Sequence, residues 1–193
     1  MSVYSNKEIL AAIDNGTIVC TPFNSKNVSE ASLDFTLGFN FYKQEYDEIS
    51  RVYNPFDEAE VDRYFKGPLT AVPHAEWCER HGFREFQNIP PDHPIIVLKP
   101  GERILAHTHE FVGIRAHGGA AEVKSRSSWG RNGVAVCFDA GWVDPGYINR
   151  ITLEIYNLNK HESVVLPVGE RVGQLIFHHT GLVDGGYAGG RDG

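Results

Sequence analysis

The chain has 193 residues, of which 41% are hydrophobic and 22% are charged, with a formal net charge of -7. This negative balance argues against nucleic acid as a partner, because a phosphate backbone requires a basic face. The apolar runs are four or five residues long, as at 95–98, whereas a membrane helix needs roughly 20. Composition therefore predicts one globular domain over residues 1–193, binding neither nucleic acid nor membrane.

The cysteine content favours a reducing compartment. Cys20, Cys78 and Cys137 are odd in number and far apart in the sequence, which makes a poor disulfide framework. The first ten residues lack the apolar core of a signal peptide. We therefore expect a cytoplasmic protein.

The chain begins with a predicted short helix. Ser5 and Glu8 have the spacing of a capping box, and Gly16 ends the pattern. The apolar residues predicted to share one helical face are Ile9, Leu10 and Ile13.

Residues 31–38 alternate as a strand does. Leu33, Phe35 and Leu37 point to one face, while Asp34 and Thr36 point to the other. The pattern predicts a strand buried on one side only.

Residues 43–92 differ in character, since they are rich in charge and aromatic rings and are interrupted by prolines. Short helices are predicted at 58–65 and 75–81. Trp77, Phe83 and Phe86 are expected to seek burial. We interpret 43–92 as an insertion or a set of elaborated loops.

From residue 94 onward, short apolar runs recur about every ten residues, separated by Gly, Pro, Asn or Asp. The runs are 95–98, 104–106, 111–114, 134–138, 151–156, 163–166 and 172–177. Many short strands with frequent turns predict an all-β sandwich or barrel. The glycine-rich tail, 185–193, is expected to be flexible.

Two segments suggest chemistry. Lys124–Arg131 gathers two arginines, several hydroxyls and a glycine, which can replace the water shell of a polyphosphate, although a solvated basic turn has the same composition. In 151–156, Glu154 interrupts an apolar strand on the face opposite Leu153 and Ile155. Apolar surroundings disfavour the charged form of a carboxylate and so suit proton transfer near neutral pH, although a lone strand glutamate is often only an exposed residue.

The nine histidines raise the alternative of a metal site. A zinc nucleobase deaminase requires H-x-E followed by P-C-x-x-C. His74-Ala75-Glu76 matches the first half, but no two cysteines are close in the sequence, so the second half is missing. We therefore expect no zinc, and surface or structural roles for the histidines.

Five segments in the same order resemble the motifs of the dCTP deaminase family, which shares the dUTPase-like fold. They are 31–38 (A-[ST]-x-D-x-x-L-G), 126–131 (R-S-S-x-x-R), 140–146 (A-G-[FW]-[IV]-D-P-G), 151–154 (I-T-L-E) and 173–175, within I-G-Q-L. The resemblance implies an all-β, distorted dUTPase-like β-barrel with a short N-terminal helix and an inserted loop and helical region. It further implies a homotrimer with active sites at subunit boundaries, and Mg²⁺ that accompanies the triphosphate.

By the same resemblance, Glu154 would be the general base that takes a proton from the attacking water. Ser127 and Arg131 would hold and polarise that water and the leaving ammonia.

The remaining matches imply substrate contacts. Ala140 would shape the base pocket through its backbone, and Asp144 would lie at the deoxyribose. Phosphates would be bound by Arg126, Ser128 and Gln174, and Tyr187 matches the tyrosine of a tail that closes over the triphosphate. In the family this tail usually reads K-Y-x-G-Q. The present tail has the tyrosine but lacks the basic residue before it and the glutamine at the end of the motif.

The leading interpretation is deamination of dCTP to dUTP and ammonia. One alternative is a bifunctional enzyme that releases dUMP and pyrophosphate, favoured by Gly141 followed by Trp142. A pure dUTPase is disfavoured by the presence of Glu154. A regulator that binds nucleotide without turnover is favoured by the divergent tail.

Overall fold

A computed structural model describes residues 2–44 and 52–187, except the side chain of Lys66. The helices are α1 (Asn6–Asp14), α2 (Glu58–Tyr64), α3 (His74–His81) and α4 (Ser127–Arg131), with a 3-10 turn at Ser25–Asn27. None of the helices in the described ranges is long and apolar enough to cross a membrane.

Short strands make up most of the regular structure. They are β1 (Ile18–Thr21), β2 (Val28–Ser29), β3 (Ser32–Thr36), β4 (Asn40–Gln44), β5 (Phe65–Thr70), β6 (Val72–Pro73), β7 (Pro94–Leu98), β8 (Arg103–His107), β9 (Phe111–Ile114), β10 (Ala120–Ser125), β11 (Val134–Ala135), β12 (Trp142–Val143), β13 (Ile148–Asn149), β14 (Thr152–Asn157), β15 (Val164–Pro167) and β16 (Arg171–His178). The predicted all-β class is confirmed.

Two five-stranded antiparallel sheets form the body of the protein. One has the order β12-β10-β16-β3-β2, and the other has the order β11-β14-β8-β4-β5. Smaller three-stranded sheets, β1-β9-β13 and β15-β7-β6, complete the walls. Apolar side chains from all these walls, such as Phe35, Leu153 and Phe177, meet in one core with about 1% exposure or less. Each such burial stabilises the fold by about 1.5–3 kcal/mol.

The predicted N-terminal helix is confirmed as α1. The Ser5 hydroxyl accepts from the Glu8 N–H, and the Glu8 carboxylate accepts from the Ser5 N–H, so the capping box is complete. Ile9 is fully buried against the core. Gly16 follows the helix with a φ of 76°, a left-handed conformation that glycine adopts without steric cost.

The prediction that β3 is buried on one side only is wrong. Leu33, Asp34 and Phe35 are all buried, and Asp34 is only 3% exposed. Alternation correctly separates the two faces, but the polar face of β3 is covered by arginine side chains from distant parts of the chain. The polar residues of this strand are therefore buried partners of charged groups.

The described part of 43–92 is more regular than the expected loops. The helices predicted at 58–65 and 75–81 are confirmed as α2 and α3, whereas β5 pairs with β4 and β6 pairs with β7. His74 is fully buried, and its Nε2 accepts from the Phe86 N–H at 2.7 Å. Trp77 and Phe86 pack together there, but Phe83 is 59% exposed. Residues 45–51 lie outside the described ranges.

Other strand predictions differ in detail. The run 134–138 contains only the short β11, and β10 was not among the predicted strands. Most of the tail predicted to be flexible, 188–193, lies outside the described residues.

Candidate active site

Three neighbouring strands bring together residues that lie far apart in the sequence. β16 lies between β10 and β3, so Gln174 is opposite Lys124 on one side and Asp34 on the other. Arg126 directly follows β10, and Arg171 begins β16. We call Asp34, Arg126, Arg171 and Gln174 the arginine corner.

The buried carboxylate of Asp34 is the centre of this corner. Its Oδ2 lies 3.3 Å from Nε of Arg126 and 3.2 Å from Nη1 of Arg171. Burial raises the pKa of Asp34, and the two guanidinium groups oppose that rise because they stabilise the charged form. The carboxylate thus holds two arginine side chains side by side.

Backbone contacts fix the same arginines. The Arg126 N–H donates to the Val172 carbonyl at 3.2 Å, and the Trp129 indole N–H donates to the Arg171 carbonyl at 3.0 Å. These bonds attach α4 to the start of β16. The corner is therefore braced from two elements.

The predicted residues on α4 point outward. Ser127, Ser128 and Arg131 are all exposed. Within the described part of the chain, none of their side chains makes a hydrogen bond or ion pair. Their donors and acceptors are consequently free to bind a ligand.

Glu154 lies on β14 as its alternation predicts. Leu153 and Ile155 are fully buried, while Glu154 is half-buried on the other face. β11 pairs with β14, and the same register continued by two residues places Cys137 opposite Glu154. Burial raises the pKa of Cys137, and the negative charge of Glu154 raises it further. The carboxylate and the thiol are therefore close neighbours.

A surface cleft of about 210 Å³ lies beside the start of β14. Its lining does not include Glu154 and contains Ala140, Trp142, Asp144, Tyr147, Thr152 and Tyr187. The structure therefore brings together three predicted substrate contacts: Ala140, Asp144 and Tyr187. Thr152 shares its strand face with Glu154, two residues or roughly 7 Å along β14. We call this the Asp144 cleft.

Sequence reasoning gave Trp142 no role in holding Asp144. The indole N–H of Trp142 donates to Oδ1 of Asp144 at 3.1 Å. Both side chains are exposed, so this bond sets the direction of a carboxylate that protein packing does not otherwise fix. A donor two residues before an acceptor on an extended segment was the available signal.

Tyr187 closes one end of the Asp144 cleft. Its N–H donates to the Pro145 carbonyl at 2.7 Å, and its ring packs edge to face on Tyr147 at 5.0 Å. Gly146 has a φ of 92°, and a Cβ there would lie 2.9 Å from the Tyr187 nitrogen. Glycine in the Asp-Pro-Gly turn thus permits both the turn and this close approach.

No hydrogen bond or ion pair joins the two parts of the predicted site within the described residues of one chain. Leu158 donates its N–H to the Gly133 carbonyl just after α4, so α4 ends beside the far end of β14. That point is four residues from Glu154, roughly 13 Å along the strand. Among the residues described, no hydrogen bond or ion pair joins Glu154 to Ser127 or Arg131.

A second cleft, of about 420 Å³, lies on the other side of Trp142. Glu122, Lys124, Cys137, Phe138 and Asp139 line it together with Trp142. Asp139 therefore borders this second cleft, whereas its neighbour Ala140 borders the first.

Two of the buried and half-buried histidines make structural hydrogen bonds with the backbone. His74 bonds to the backbone at both ring nitrogens, and His107 accepts from the Asn40 N–H at 3.3 Å. In the ranges that the structure covers, no three His, Cys, Asp or Glu side chains gather as metal ligands would.

Comparison with known proteins gives consistent matches over most of the chain. The model of the dCTP deaminase-like family matches residues 3–180. A protein of Methanosphaera stadtmanae named "dCTP deaminase, dUMP-forming" is 33% identical over 92% of this chain and 79% of its own length. A protein of Methanopyrus kandleri with the same name is 33% identical over 92% of this chain and 82% of its own.

Other matches bear on activity and fold. A Haloarcula marismortui protein named "dCTP deaminase" is 33% identical over 91% of this chain and 79% of its own. The solved 2'-deoxycytidine 5'-triphosphate deaminase of Agrobacterium tumefaciens superposes with a TM-score of 0.57 at 18% identity. That alignment covers 91% of this chain and 47% of the solved chain, so the present chain spans about half of that protein. This likeness concerns the fold alone.

Proposed function

The chain belongs to the dCTP deaminase-like family, and we propose that it deaminates dCTP and then cleaves the product to dUMP and pyrophosphate. The observation that carries the proposal is the Asp144 cleft, which gathers Ala140, Asp144 and Tyr187 with Thr152, the residue two positions before Glu154 on the same face of β14. Such a cleft can seat a nucleoside against a proton-transferring carboxylate.

In the proposed deamination, water adds to C4 of the cytosine ring and the amino group leaves as ammonia. Glu154 takes a proton from the water and returns it to the leaving nitrogen. Its half-buried position, exposed on one face only, suits a group that must meet both substrate and solvent. Ser127 and Arg131 would orient the water and the leaving group.

In the proposed second step, another water attacks the α-phosphorus and pyrophosphate leaves. Asp144 would lie at the deoxyribose, directed by its bond from Trp142, and would activate this water. Arg126, Ser128 and Gln174 would hold the phosphates, and Tyr187 would close the cleft over the sugar.

Two observations favour the bifunctional reaction over deamination alone. Relatives at 33% identity carry the name dUMP-forming, although the Haloarcula protein is named only for deamination. A Cβ at Gly141 would lie 2.8 Å from the Val123 carbonyl oxygen and 3.3 Å from Sγ of Cys137. The backbone after Ala140 is therefore suited to glycine rather than to a bulky residue.

We further propose that the active unit is a homotrimer. Within the described residues of one chain, no hydrogen bond or ion pair joins Glu154 to Ser127 or Arg131, and a neighbouring copy would supply these two residues to it. Closed cyclic symmetry makes each such shared site equivalent.

We propose that Mg²⁺ enters as part of the substrate, bound to the triphosphate. The arginine corner fits that arrangement, because it offers cationic donors to phosphate while its carboxylate faces inward to the arginines. We expect turnover to require Mg²⁺ and to survive a zinc-selective chelator.

Product analysis tests the proposal. Incubation with Mg-dCTP, resolved by ion-exchange chromatography over time, should yield ammonia, dUMP and pyrophosphate in equal amounts. Accumulation of dUTP alone would instead establish the deaminase without the second step. Tight binding of dCTP with no product would establish a regulator and reject the enzyme.

A further inference from the structure

The arginine corner contains more positive charge than its own carboxylate can balance. Two guanidinium groups meet the single buried carboxylate of Asp34, and both approach the same oxygen, Oδ2. The net charge of this group is therefore +1 in a chain whose formal net charge is -7. Two adjacent arginines in this state favour an additional anion.

Most of the hydrogen-bond donors of the two arginines remain available. Each guanidinium carries five N–H donors, whereas Asp34 receives Nε of Arg126 and Nη1 of Arg171. Their side chains are 32% and 43% exposed. Within the described residues, neither side chain makes another hydrogen bond or ion pair. The remaining forks can bind an oxyanion from solvent.

The position of the pair also favours polyphosphate over a single small anion. Arg126 leads directly into the exposed hydroxyls of Ser127 and Ser128 on α4. Gln174 lies three residues after Arg171 on β16, between β10 and β3. Donors thus occur from the first turn of helix α4 to the middle of β16. A chain of phosphates, unlike a single small anion, can contact several of them.

We propose that Arg171 binds the polyphosphate of the substrate together with Arg126, and that Asp34 is the positioning residue that holds the two guanidiniums parallel. Paired arginine forks recognise phosphate through bidentate hydrogen bonds that a lysine cannot reproduce. Because Asp34 contacts both guanidinium groups, and hydrogen bonds fix the backbone of both arginines, less side-chain ordering remains for the substrate to induce. The identification of that substrate as dCTP rests on the proposed function.

The test uses inorganic tripolyphosphate with Mg²⁺ as probe, measured by titration calorimetry on the full chain. Arg171→Gln should weaken binding about tenfold or more, as should Arg126→Gln. Arg171→Lys, which keeps the charge but loses the fork, should fall between Arg171→Gln and the parent. Arg80→Gln is the matched control, because Arg80 is an exposed arginine paired with Glu76 on α3, and it should bind as the parent does.

A substitution at Asp34 separates positioning from simple charge balance. If Asp34 only neutralised the arginines, Asp34→Asn would tighten tripolyphosphate binding, because a negative charge is removed. The positioning role predicts the opposite, a weakening, in protein whose thermal unfolding stays cooperative. Tighter binding in Asp34→Asn would reject the positioning role.

Steady-state kinetics give a second readout. Arg171→Gln should raise the KM for dCTP about tenfold while kcat stays within about threefold. The reason is that a phosphate contact made equally in the ground state and in the transition state of deamination affects substrate binding alone. Parent-like affinity for tripolyphosphate and parent-like KM in Arg171→Gln or Arg171→Lys would overturn the inference. Tripolyphosphate binding without any turnover of dCTP would instead reject the proposed function and leave this inference standing.

Discussion

The arginine corner and the Asp144 cleft are constructed differently, although the proposed substrate would touch both. In the corner, a buried carboxylate, two arginines and two backbone hydrogen bonds hold the donors in place. In the Asp144 cleft, Asp144 and Trp142 are exposed and bonded to each other. Glu154, farther along β14, makes no hydrogen bond or ion pair with any described residue. The corner is thus fixed by contacts within one chain, whereas Glu154 is not.

The physical reason lies in where each set of residues sits in its sheet. Asp34 and Gln174 face each other across paired central strands, so the register alone fixes their distance. Asp144 follows the two-residue strand β12 at a sheet edge, where few neighbours constrain it. If the site is shared as proposed, a second copy would supply the contacts that Glu154 lacks within the described residues of one chain.

The largest expected effect follows from substitution of Glu154. Glu154→Gln keeps the shape of the side chain but cannot take a proton, so we expect the deamination rate to fall by about 10² to 10⁴. Binding of dCTP and tripolyphosphate should stay close to the parent, because the corner is untouched. Ammonia release measured at saturating dCTP checks this result.

Glu162→Gln is the matched control for that substitution. Glu162 is an exposed carboxylate after β14 that borders neither cleft described above, and its variant should turn over at the parent rate. Deamination by Glu154→Gln within threefold of the parent would reject Glu154 as the general base.

The next prediction tests whether a neighbouring copy completes the site around Glu154. Chains carrying Glu154→Gln and chains carrying Arg131→Ala should each be inactive alone. When they are co-expressed with different tags, a mixed trimer places intact Glu154 and intact Arg131 together in one of its three sites, or about one third. After purification through both tags, we expect the mixed trimers to recover about that fraction of the parent activity.

Light scattering of the parent supplies the accompanying measurement of mass. An active monomer would reject the shared site outright. A trimer without restored activity would show that both residues of one site come from the same chain.

A smaller effect is expected when the same substitution, tryptophan to phenylalanine, is made at the Asp144 cleft and at the arginine corner. Trp142→Phe removes the N–H that directs Asp144, and Trp129→Phe removes the N–H that donates to Arg171. Each lost hydrogen bond should cost about threefold to tenfold in affinity. We expect Trp142→Phe to raise the KM for dCTP while tripolyphosphate binds unchanged, and Trp129→Phe to weaken both. Identical profiles for the two variants would show that the halves are not independent.

The sequence predicts these two halves unequally. Strand alternation places Glu154 opposite Leu153 and Ile155, and the structure confirms that face. The same alternation makes Asp34 appear solvent-facing, because its partner Arg171 is 137 residues away and local patterns carry no information on such pairing. Arg171 itself has no local signal, since an arginine that begins a strand is common. The strands within 43–92 are obscured by its prolines and charges.

The smallest effect lies outside both halves, at the start of α1. Two hydrogen bonds from Ser5, then the contact with His179, hold the pKa of Glu8 below its usual value. A carboxyl whose folded pKa is lowered adds stability above its unfolded pKa, near 4.5, and loses it as pH falls through the folded pKa. Glu8→Gln should therefore lower Tm slightly at neutral pH, and the difference from the parent should vanish once the pH has fallen below the folded pKa of Glu8. Thermal unfolding of both proteins from neutral to acid pH checks the sign of this difference in Tm.

Turnover and tripolyphosphate binding should stay at parent levels at neutral pH, because α1 contributes no residue to the corner or the cleft. A Tm difference that persists in acid would mean that the amide disturbs the helix cap by shape rather than by charge.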